Sequence, residues 1–183
     1  MDKYYKVILD GKEFNLPKAG IGNNKYVAVF DPYSDVNMNR AAAKDLYKKI
    51  VDSNLQNVDV VISAEAKGAA LAQRIADYLN CDLLVFRKKV KINFEKPVIA
   101  HVKTFTSGTS QLFIDKLYLE KYSGKKALFV DDVISTGSTI NAIKEVLDEY
   151  KINVIKYCCV FKESDDVNND LLYVDTLPIF EDK

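Results

Sequence analysis

Residues 128–139 read LFVDDVISTGST. The stretch is an apolar run, then the consecutive acids Asp131 and Asp132, then a hydroxyl-rich turn around Gly137, and a helix pattern follows it. A strand that passes through a short turn into a helix is the repeating unit of parallel α/β sheets. In such sheets ligands bind beyond the carboxyl ends of the strands. The stretch therefore predicts both the fold class and the place of the functional site.

The turn has the composition of an anion-binding cradle. Its backbone N–H groups and the N-terminus of the following helix attract an anion, and four hydroxyl groups add further donors. The residues of the turn are Ser135, Thr136, Gly137, Ser138 and Thr139. A phosphate monoester fits this cradle, whereas a helix cap would explain only one of the hydroxyl groups.

The two acids stand just before the cradle. Carboxylates at this place can accept hydrogen bonds from two vicinal hydroxyl groups, and they can help to hold a cationic sugar or a metal ion. Because Asp131 and Asp132 are next to the phosphate cradle, a ribose 5-phosphate satisfies both halves of the motif.

The composition is that of a soluble globular protein. The chain has 183 residues, of which 48% are hydrophobic and 28% charged, and this length and balance support one domain with its own core. Residues 1–9 lack the pattern of a signal peptide, and no apolar run reaches membrane length. We expect a single domain over residues 1–183 in a cytoplasmic protein without a membrane partner.

Charge and ligand counts argue against two other classes of protein. The 26 Lys and Arg residues balance 26 Asp and Glu residues, so no net field favours a nucleic-acid partner. The three cysteines form no CxxC pair and His101 is the single histidine, which argues against a structural metal site.

Apolar runs alternate with helix patterns along most of the chain. This alternation predicts an α/β fold with a parallel central sheet flanked by helices. The predicted strands cover residues 4–9, 26–30, 58–62, 83–86, 127–130 and 154–161. The predicted helices run from a cap at Asn37 or Asn39 to residue 54, over residues 69–79 and over residues 139–150.

Two regions depart from the alternation. The stretch between the first two strands is rich in Gly, Pro and Asn and predicts turns. Residues 87–116 mix polar residues with β-prone pieces at 98–105 and 111–114. They predict a long hairpin or mobile flap.

Residues 130–139 resemble the phosphoribosyl-pyrophosphate signature of the type I phosphoribosyltransferase family. The order of elements over residues 58–161 resembles the adenine and xanthine branch of that family. The resemblance implies a core at about residues 36–161, a flexible β-hairpin flap, and a small hood from about residues 1–35 and 162–183. It implies that Ser135, Thr136, Gly137, Ser138 and Thr139 bind the 5'-phosphate, and that Asp131 and Asp132 are catalytic.

The resemblance also assigns residues to the pyrophosphate-binding site. Ala66, Lys67 and Gly68 lie between an apolar strand and a helix, where the family presents backbone N–H groups to pyrophosphate. Arg87 resembles the arginine that closes on pyrophosphate, and Lys91 is assigned to the same subsite. By themselves these pieces are also compatible with an ordinary strand-to-helix turn and a solvated basic loop.

The flap occupies the position of the family's flexible loop, which covers the reacting centre. Its residues are Thr106, Ser107, Gly108 and Thr109, and Gly108 would permit a hinge. The adenine enzymes are expected to carry an acidic and an aromatic residue near Thr106 and Ser107. This departure leaves both adenine specificity and an acid–base role of the flap open.

The resemblance implies transfer of the 5-phosphoribosyl group from 5-phosphoribosyl-1-pyrophosphate to a nucleobase, with release of pyrophosphate. A purine is the expected base, with Mg2+ as cofactor, bound by substrate oxygens and by Asp131 or Asp132, partly through water. A homodimer is expected. The alternatives are an orotate or uracil phosphoribosyltransferase and a non-enzymatic regulator that senses phosphoribosyl-pyrophosphate. Tyr26, Phe30 and Phe161 are the candidates for stacking on the base.

Overall fold

The computed structural model describes residues 2–104, 108–163 and 170–181. The helices are α1 (Val36–Asp52), α2 (Lys67–Leu79), α3 (Lys116–Lys121) and α4 (Ser138–Glu149). The strands are β1 (Tyr4–Leu9), β2 (Lys12–Gly22), β3 (Lys25–Ala28), β4 (Val60–Ala64), β5 (Asp82–Phe86), β6 (Pro97–Thr104), β7 (Gly108–Asp115), β8 (Lys126–Ile134), β9 (Asn153–Lys162), β10 (Leu171–Thr176) and β11 (Ile179–Glu181). Within these residues, no helix is both long and apolar enough to cross a membrane.

The central sheet has five strands in the order β10, β9, β8, β4, β5, and every neighbouring pair is parallel. All five residues of β4 are buried, because helices or the hairpin cover both faces of the sheet. The predicted parallel α/β class is therefore confirmed.

Side chains of β8 divide between two apolar cores. Leu128 belongs to a cluster that includes Leu46 of α1 and Leu71 of α2. The next residue, Phe129, belongs to a second cluster that includes Ile143 of α4. This alternation follows from the period of two along a strand. It fixes β8 between two layers of the core.

The cap of helix α1 lies two residues before Asn37 and four residues before Asn39, the two predicted caps. Asp35 is its N-cap, and its Oδ1 accepts hydrogen bonds from the backbone N–H groups of Asn37 and Met38, both at 2.9 Å. Asn39 is instead a buried helical residue whose Nδ2 approaches the carbonyl of Ala70 at 3.4 Å. The cap prediction was wrong because an aspartate with extended backbone preceded both asparagines.

The turn-rich stretch between the first two strands forms β2. Turns occur only at its ends, where Asp10, Gly11, Asn23 and Asn24 have positive φ. Pairing with β1 and β3 overrides the local composition. Strand β11 from the other end of the chain pairs with β3, which completes a four-stranded antiparallel sheet of terminal segments.

Strands β6 and β7 form the predicted hairpin, with register from Pro97 opposite Asp115 to Thr104 opposite Gly108. The hairpin is joined to the end of β5, because Arg87 and Phe113 exchange two backbone hydrogen bonds of 2.7 Å. Helix α3 was not predicted because it has only six residues. Strand β10 was not predicted because it follows a polar segment.

Asp115 anchors the base of the hairpin. Its Oδ1 accepts from the N–H of Leu117 at 2.9 Å, and its Oδ2 accepts from the N–H groups of Glu95 and Lys96 at 2.6 and 3.3 Å. The hydrogen bond from Leu117 is the largest influence on its pKa, and together with the other donors it outweighs burial and holds the pKa below the usual range.

Asp115→Asn should lower the melting temperature at pH 7. One of the two oxygens that accept backbone hydrogen bonds would become an NH2 group, which cannot accept them. A lowered pKa in the folded state gives stability that is present above the pKa of the unfolded chain and is lost as pH falls through the folded pKa. The difference in melting temperature between the variant and the parent protein should therefore shrink below about pH 4. Thermal unfolding from pH 3 to 8 checks this, with Asp52→Asn, an exposed acid on α1, as control. A difference that does not vary with pH would contradict it.

Candidate active site

The strand-to-helix connections after β4 and β8 lie at the same edge of the sheet. These two strands are parallel neighbours, with Val60 opposite Ala127 and Ile62 opposite Phe129. Their carboxyl ends therefore carry residues 65–66 and 135–137 to one place. The predicted pyrophosphate loop and the predicted phosphate turn meet there.

The acid pair lies inside strand β8, rather than at its end. The strand continues to Ile134, because Val133 and Ile134 pair with Phe161 and Lys162 of β9. The backbone N–H of Asp132 donates to Asp131 Oδ1 at 2.9 Å. The side chains are thus held by a paired strand and not by a mobile turn.

The carboxylate of Asp131 is packed against the start of α2. A Cβ atom on Gly68 would lie 2.1 Å from Asp131 Oδ1 and 3.0 Å from Ser63 Oγ. Only a residue without a side chain can occupy this position. The Ser63 hydroxyl is buried and has no hydrogen-bond partner within the described residues, so a polar group of β4 also stands beside the acid.

Both acids sit in a poorly solvated, negatively charged environment. Burial raises the pKa of Asp131 well above its usual value, and the charge of Asp132 raises it further. Burial also raises the pKa of Asp132, while the Lys67 ammonium group counteracts part of this shift. A cationic or hydroxyl-bearing ligand would relieve the cost of placing two carboxylates together.

The turn after β8 leads directly into the N-terminus of α4. Gly137 is the N-cap, it has φ of 71°, and it has no side chain that could cap the helix. Thr136 Oγ1 donates to Ser138 Oγ at 3.1 Å and has a long contact of 3.4 Å with the N–H of Ser138. An uncapped helix N-terminus with adjacent hydroxyl groups is a suitable anion site.

The loop after β4 is tied to the segment between β3 and α1. Lys67 Nζ donates to the Phe30 carbonyl at 3.0 Å, and the Tyr33 hydroxyl donates to the Ala66 carbonyl. The Glu65–Ala66 peptide bond is cis. Helix α2 begins at Lys67 without a side-chain cap, and because it follows the carboxyl end of β4, its N-terminus lies at the same edge as the phosphate turn.

Arg87 is brought to this loop by an acid that sequence reasoning missed. Arg87 Nη1 lies 2.9 Å from Glu65 Oε1, and the backbone N–H of Lys88 donates to Glu65 Oε2 at 2.8 Å. Lys91 is exposed and lines, with Arg87, a cavity of about 540 Å³ beside the edge strand β5. The position of Glu65 directly before the loop was the available signal.

The flap is described only in part. Thr106 and Ser107 lie outside the described residues, while Gly108 begins β7 and Thr109 is paired with Lys103. The flexibility of this segment stays a prediction.

Two further findings concern the surroundings of the acids. Phe30 and Phe161 are buried and pack edge to face with centroids 5.2 Å apart, so these two belong to the core and Tyr26 is left as the stacking candidate.

Glu163 follows β9, and burial together with the charge of Asp132 raises its pKa. Sequence reasoning placed Glu163 in the hood but did not foresee that it adds a third acid near the pair.

A parallel sheet with an uncapped phosphate turn, an acid pair and a cationic loop at one edge is typical of proteins that bind phosphorylated sugars. The family model for the phosphoribosyl transferase domain matches residues 33–180. The chain belongs to this family, as the resemblance of residues 130–139 predicted.

Relatives of the chain include both regulators and enzymes. A probable purine biosynthesis transcriptional regulator of Streptococcus pneumoniae is 31% identical over 64% of this chain, which spans 43% of the regulator. An adenine phosphoribosyltransferase of Mycoplasmopsis pulmonis is 31% identical over 82% of this chain and 81% of that protein. The crystal structure of adenine phosphoribosyltransferase from Thermoanaerobacter pseudethanolicus shares the fold, with a TM-score of 0.68 and 16% identity over 95% of each chain.

Gly68→Ala should displace the Asp131 carboxylate, since the added Cβ would lie 2.1 Å from its Oδ1. We expect a lower melting temperature and loss of phosphoribosyl-pyrophosphate binding, measured by thermal unfolding and calorimetry. Gly20→Ala is the matched control, because its Cβ would meet Tyr26 Cε1 at an ordinary 3.6 Å. Equal stability and binding in both variants would show that the acid and the loop are not coupled.

Proposed function

We propose that the protein transfers the 5-phosphoribosyl group from 5-phosphoribosyl-1-pyrophosphate to a purine base and releases pyrophosphate. The observation that carries the proposal is the packing of Asp131 against Gly68, beside the uncapped turn of α4. This packing brings an acid pair, a phosphate cradle and a cationic loop to one edge of the sheet.

The turn after β8 would bind the 5'-phosphate. Gly137 lets the chain turn with positive φ and brings the first amides of α4 toward the ligand. The hydroxyl groups of Ser135, Thr136, Ser138 and Thr139 would add donors. The phosphate would thereby fix one end of the substrate.

The loop after β4 would bind the leaving group. The amides of Ala66, Lys67 and Gly68, the Lys67 ammonium and the Arg87 guanidinium can neutralise the charge that develops on departing pyrophosphate. Lys91, which is exposed beside Arg87, would add a third cation. Lys67 would exchange the neutral Phe30 carbonyl for a pyrophosphate oxygen.

The acid pair would bind the ribose. Asp131 and Asp132 can accept hydrogen bonds from the two vicinal hydroxyl groups and stabilise positive charge on the sugar ring as the bond to pyrophosphate breaks. Pyrophosphate leaves with the electron pair of the broken bond. The base nitrogen forms the new bond to the same carbon and releases its proton to a pyrophosphate oxygen or to solvent. The flap residues Thr106, Ser107, Gly108 and Thr109 would exclude water from the cationic sugar.

A magnesium ion fits the chemistry of this edge. The acids are costly to bury together, as their raised pKa values show, and a divalent cation relieves that cost. In the part of the chain described, no group of three or more His, Cys, Asp and Glu side chains could hold a metal. Asp131 and Asp132 would therefore hold Mg2+ together with substrate oxygens, partly through water, and the ion would supply charge neutralisation to pyrophosphate.

The sheet of β1, β2, β3 and β11 would form the hood that selects the base, with the core at about residues 36–161 in a single domain. Tyr26 lies in this sheet and Glu163 lies near the acids, so an aromatic face and a hydrogen-bond acceptor are available for a purine. We further propose that the protein acts in the cytoplasm as a homodimer.

A regulator that binds phosphoribosyl-pyrophosphate without turnover is the second candidate. The 31% identity to the Streptococcus pneumoniae regulator favours it. The match to this regulator covers 64% of the chain and 43% of the regulator, whereas the match to the adenine phosphoribosyltransferase covers 82% of the chain and 81% of that enzyme. The enzyme is therefore the first candidate.

Pyrophosphate release tests the proposal. The protein is incubated with Mg2+, phosphoribosyl-pyrophosphate and one base at a time from adenine, guanine, hypoxanthine, xanthine, uracil and orotate. Release with a purine is expected. Release with only a pyrimidine would replace the proposed substrate, and binding without release for any base would favour the regulator.

The double variant Asp131→Asn and Asp132→Asn should reduce turnover by roughly a hundredfold or more, because charge stabilisation at the sugar is lost. Steady-state kinetics with the best base measures this. Asp77→Asn, an exposed acid of α2, is the control. Unchanged turnover in the double variant would remove the acid pair from the mechanism.

A further inference from the structure

We infer that Glu65 is a positioning residue, which acts through Arg87 to set the affinity of this site for pyrophosphate. The inference rests on the proposed function. Glu65 has no assigned role among the phosphate-binding and sugar-binding groups, yet it contacts two of the segments that would surround the leaving group.

The carboxylate of Glu65 is held at both oxygens. Oε1 binds Arg87 Nη1 at 2.9 Å, and Oε2 accepts from the N–H of Lys88 at 2.8 Å. The backbone N–H of Glu65 donates to the Phe86 carbonyl at 2.8 Å. Glu65, which directly precedes the pyrophosphate loop, is thus joined to residues at the end of β5 by three hydrogen bonds.

These bonds restrict a side chain that would otherwise be mobile. The Arg87 side chain is 42% exposed, and that of Glu65 is 22% exposed. An arginine in this setting can adopt many rotamers, and ordering it on ligand binding costs affinity. Because Glu65 uses Nη1, the other guanidinium N–H groups remain available to phosphate oxygens. Arg87 is therefore oriented toward the loop before pyrophosphate arrives.

The negative charge of Glu65 is kept in spite of its surroundings. Burial would raise its pKa, but the N–H of Lys88, the Arg87 guanidinium and the nearby Lys91 outweigh burial and hold the pKa below its usual range. The ionised carboxylate is neutralised by these groups, which limits its repulsion of pyrophosphate. Its net effect is to orient Arg87 rather than to compete for it.

A double-mutant cycle tests the inference. Glu65→Gln, Arg87→Ala and the double variant are compared with the parent protein by calorimetry with pyrophosphate and Mg2+, and by KM and kcat for phosphoribosyl-pyrophosphate. We expect Glu65→Gln to weaken pyrophosphate binding on the order of tenfold, as a coupled ion pair would. KM should rise while kcat changes little. In the Arg87→Ala background, Glu65→Gln should have no further effect.

Two controls separate positioning from general damage. Ribose 5-phosphate binds away from Arg87, so its affinity should be unchanged in Glu65→Gln. Glu120→Gln removes a carboxylate that pairs with Lys116 at 3.0 Å on α3, and it should change neither affinity. If Glu65→Gln does not fold, Glu65→Asp, which keeps the charge on a shorter side chain, replaces it and should weaken pyrophosphate binding through the same coupling.

The outcomes distinguish this inference from the proposed function. If the parent protein binds neither pyrophosphate nor ribose 5-phosphate, both fall. If it binds them and Glu65→Gln binds pyrophosphate equally well or more tightly, the positioning role is overturned while the proposed function stands. Additive losses in the double variant would also overturn it, because Glu65 would then act independently of Arg87.

Discussion

The contact between Gly68 and the carboxylate of Asp131 is the constraint on which the site depends. A side chain at position 68 would overlap Asp131 Oδ1 at 2.1 Å, so the start of α2 can approach β8 only at a glycine. This approach requires β4 and β8 to be parallel neighbours, which the order of the central sheet provides. The loop after β4 and the acids of β8 are consequently parts of one rigid edge.

The cations and the acids of this edge differ in how they are partnered before any ligand is bound. Lys67 donates to the Phe30 carbonyl and Arg87 pairs with Glu65, whereas the acids of β8 have raised pKa values because burial and mutual repulsion are only partly offset. The unsatisfied part of the site is thus the acid pair and the uncapped helix turn beside it. A ligand that combines hydroxyl groups with phosphate meets both requirements at once.

The structural relatives and the curated relatives carry different information. The likeness to adenine phosphoribosyltransferases at 16% identity concerns the fold, while the family match over residues 33–180 concerns the sequence features that the site uses. A regulator and an enzyme are each 31% identical to this chain over the residues matched.

The sequence by itself determined the strand-turn-helix around Asp131 and Gly137, because the apolar period and the hydroxyl-rich turn are local signals. It also determined four of the five central strands and three of the four helices in the described residues, though Asp35 rather than Asn37 or Asn39 caps α1. Only the tertiary structure decided that residues 12–22 pair as β2, that Phe30 and Phe161 pack in the core, and that Glu65 pairs with Arg87. The physical reason is that strand pairing, aromatic packing and an ion pair 22 residues apart along the chain depend on which segments meet in space, and no local pattern records that meeting.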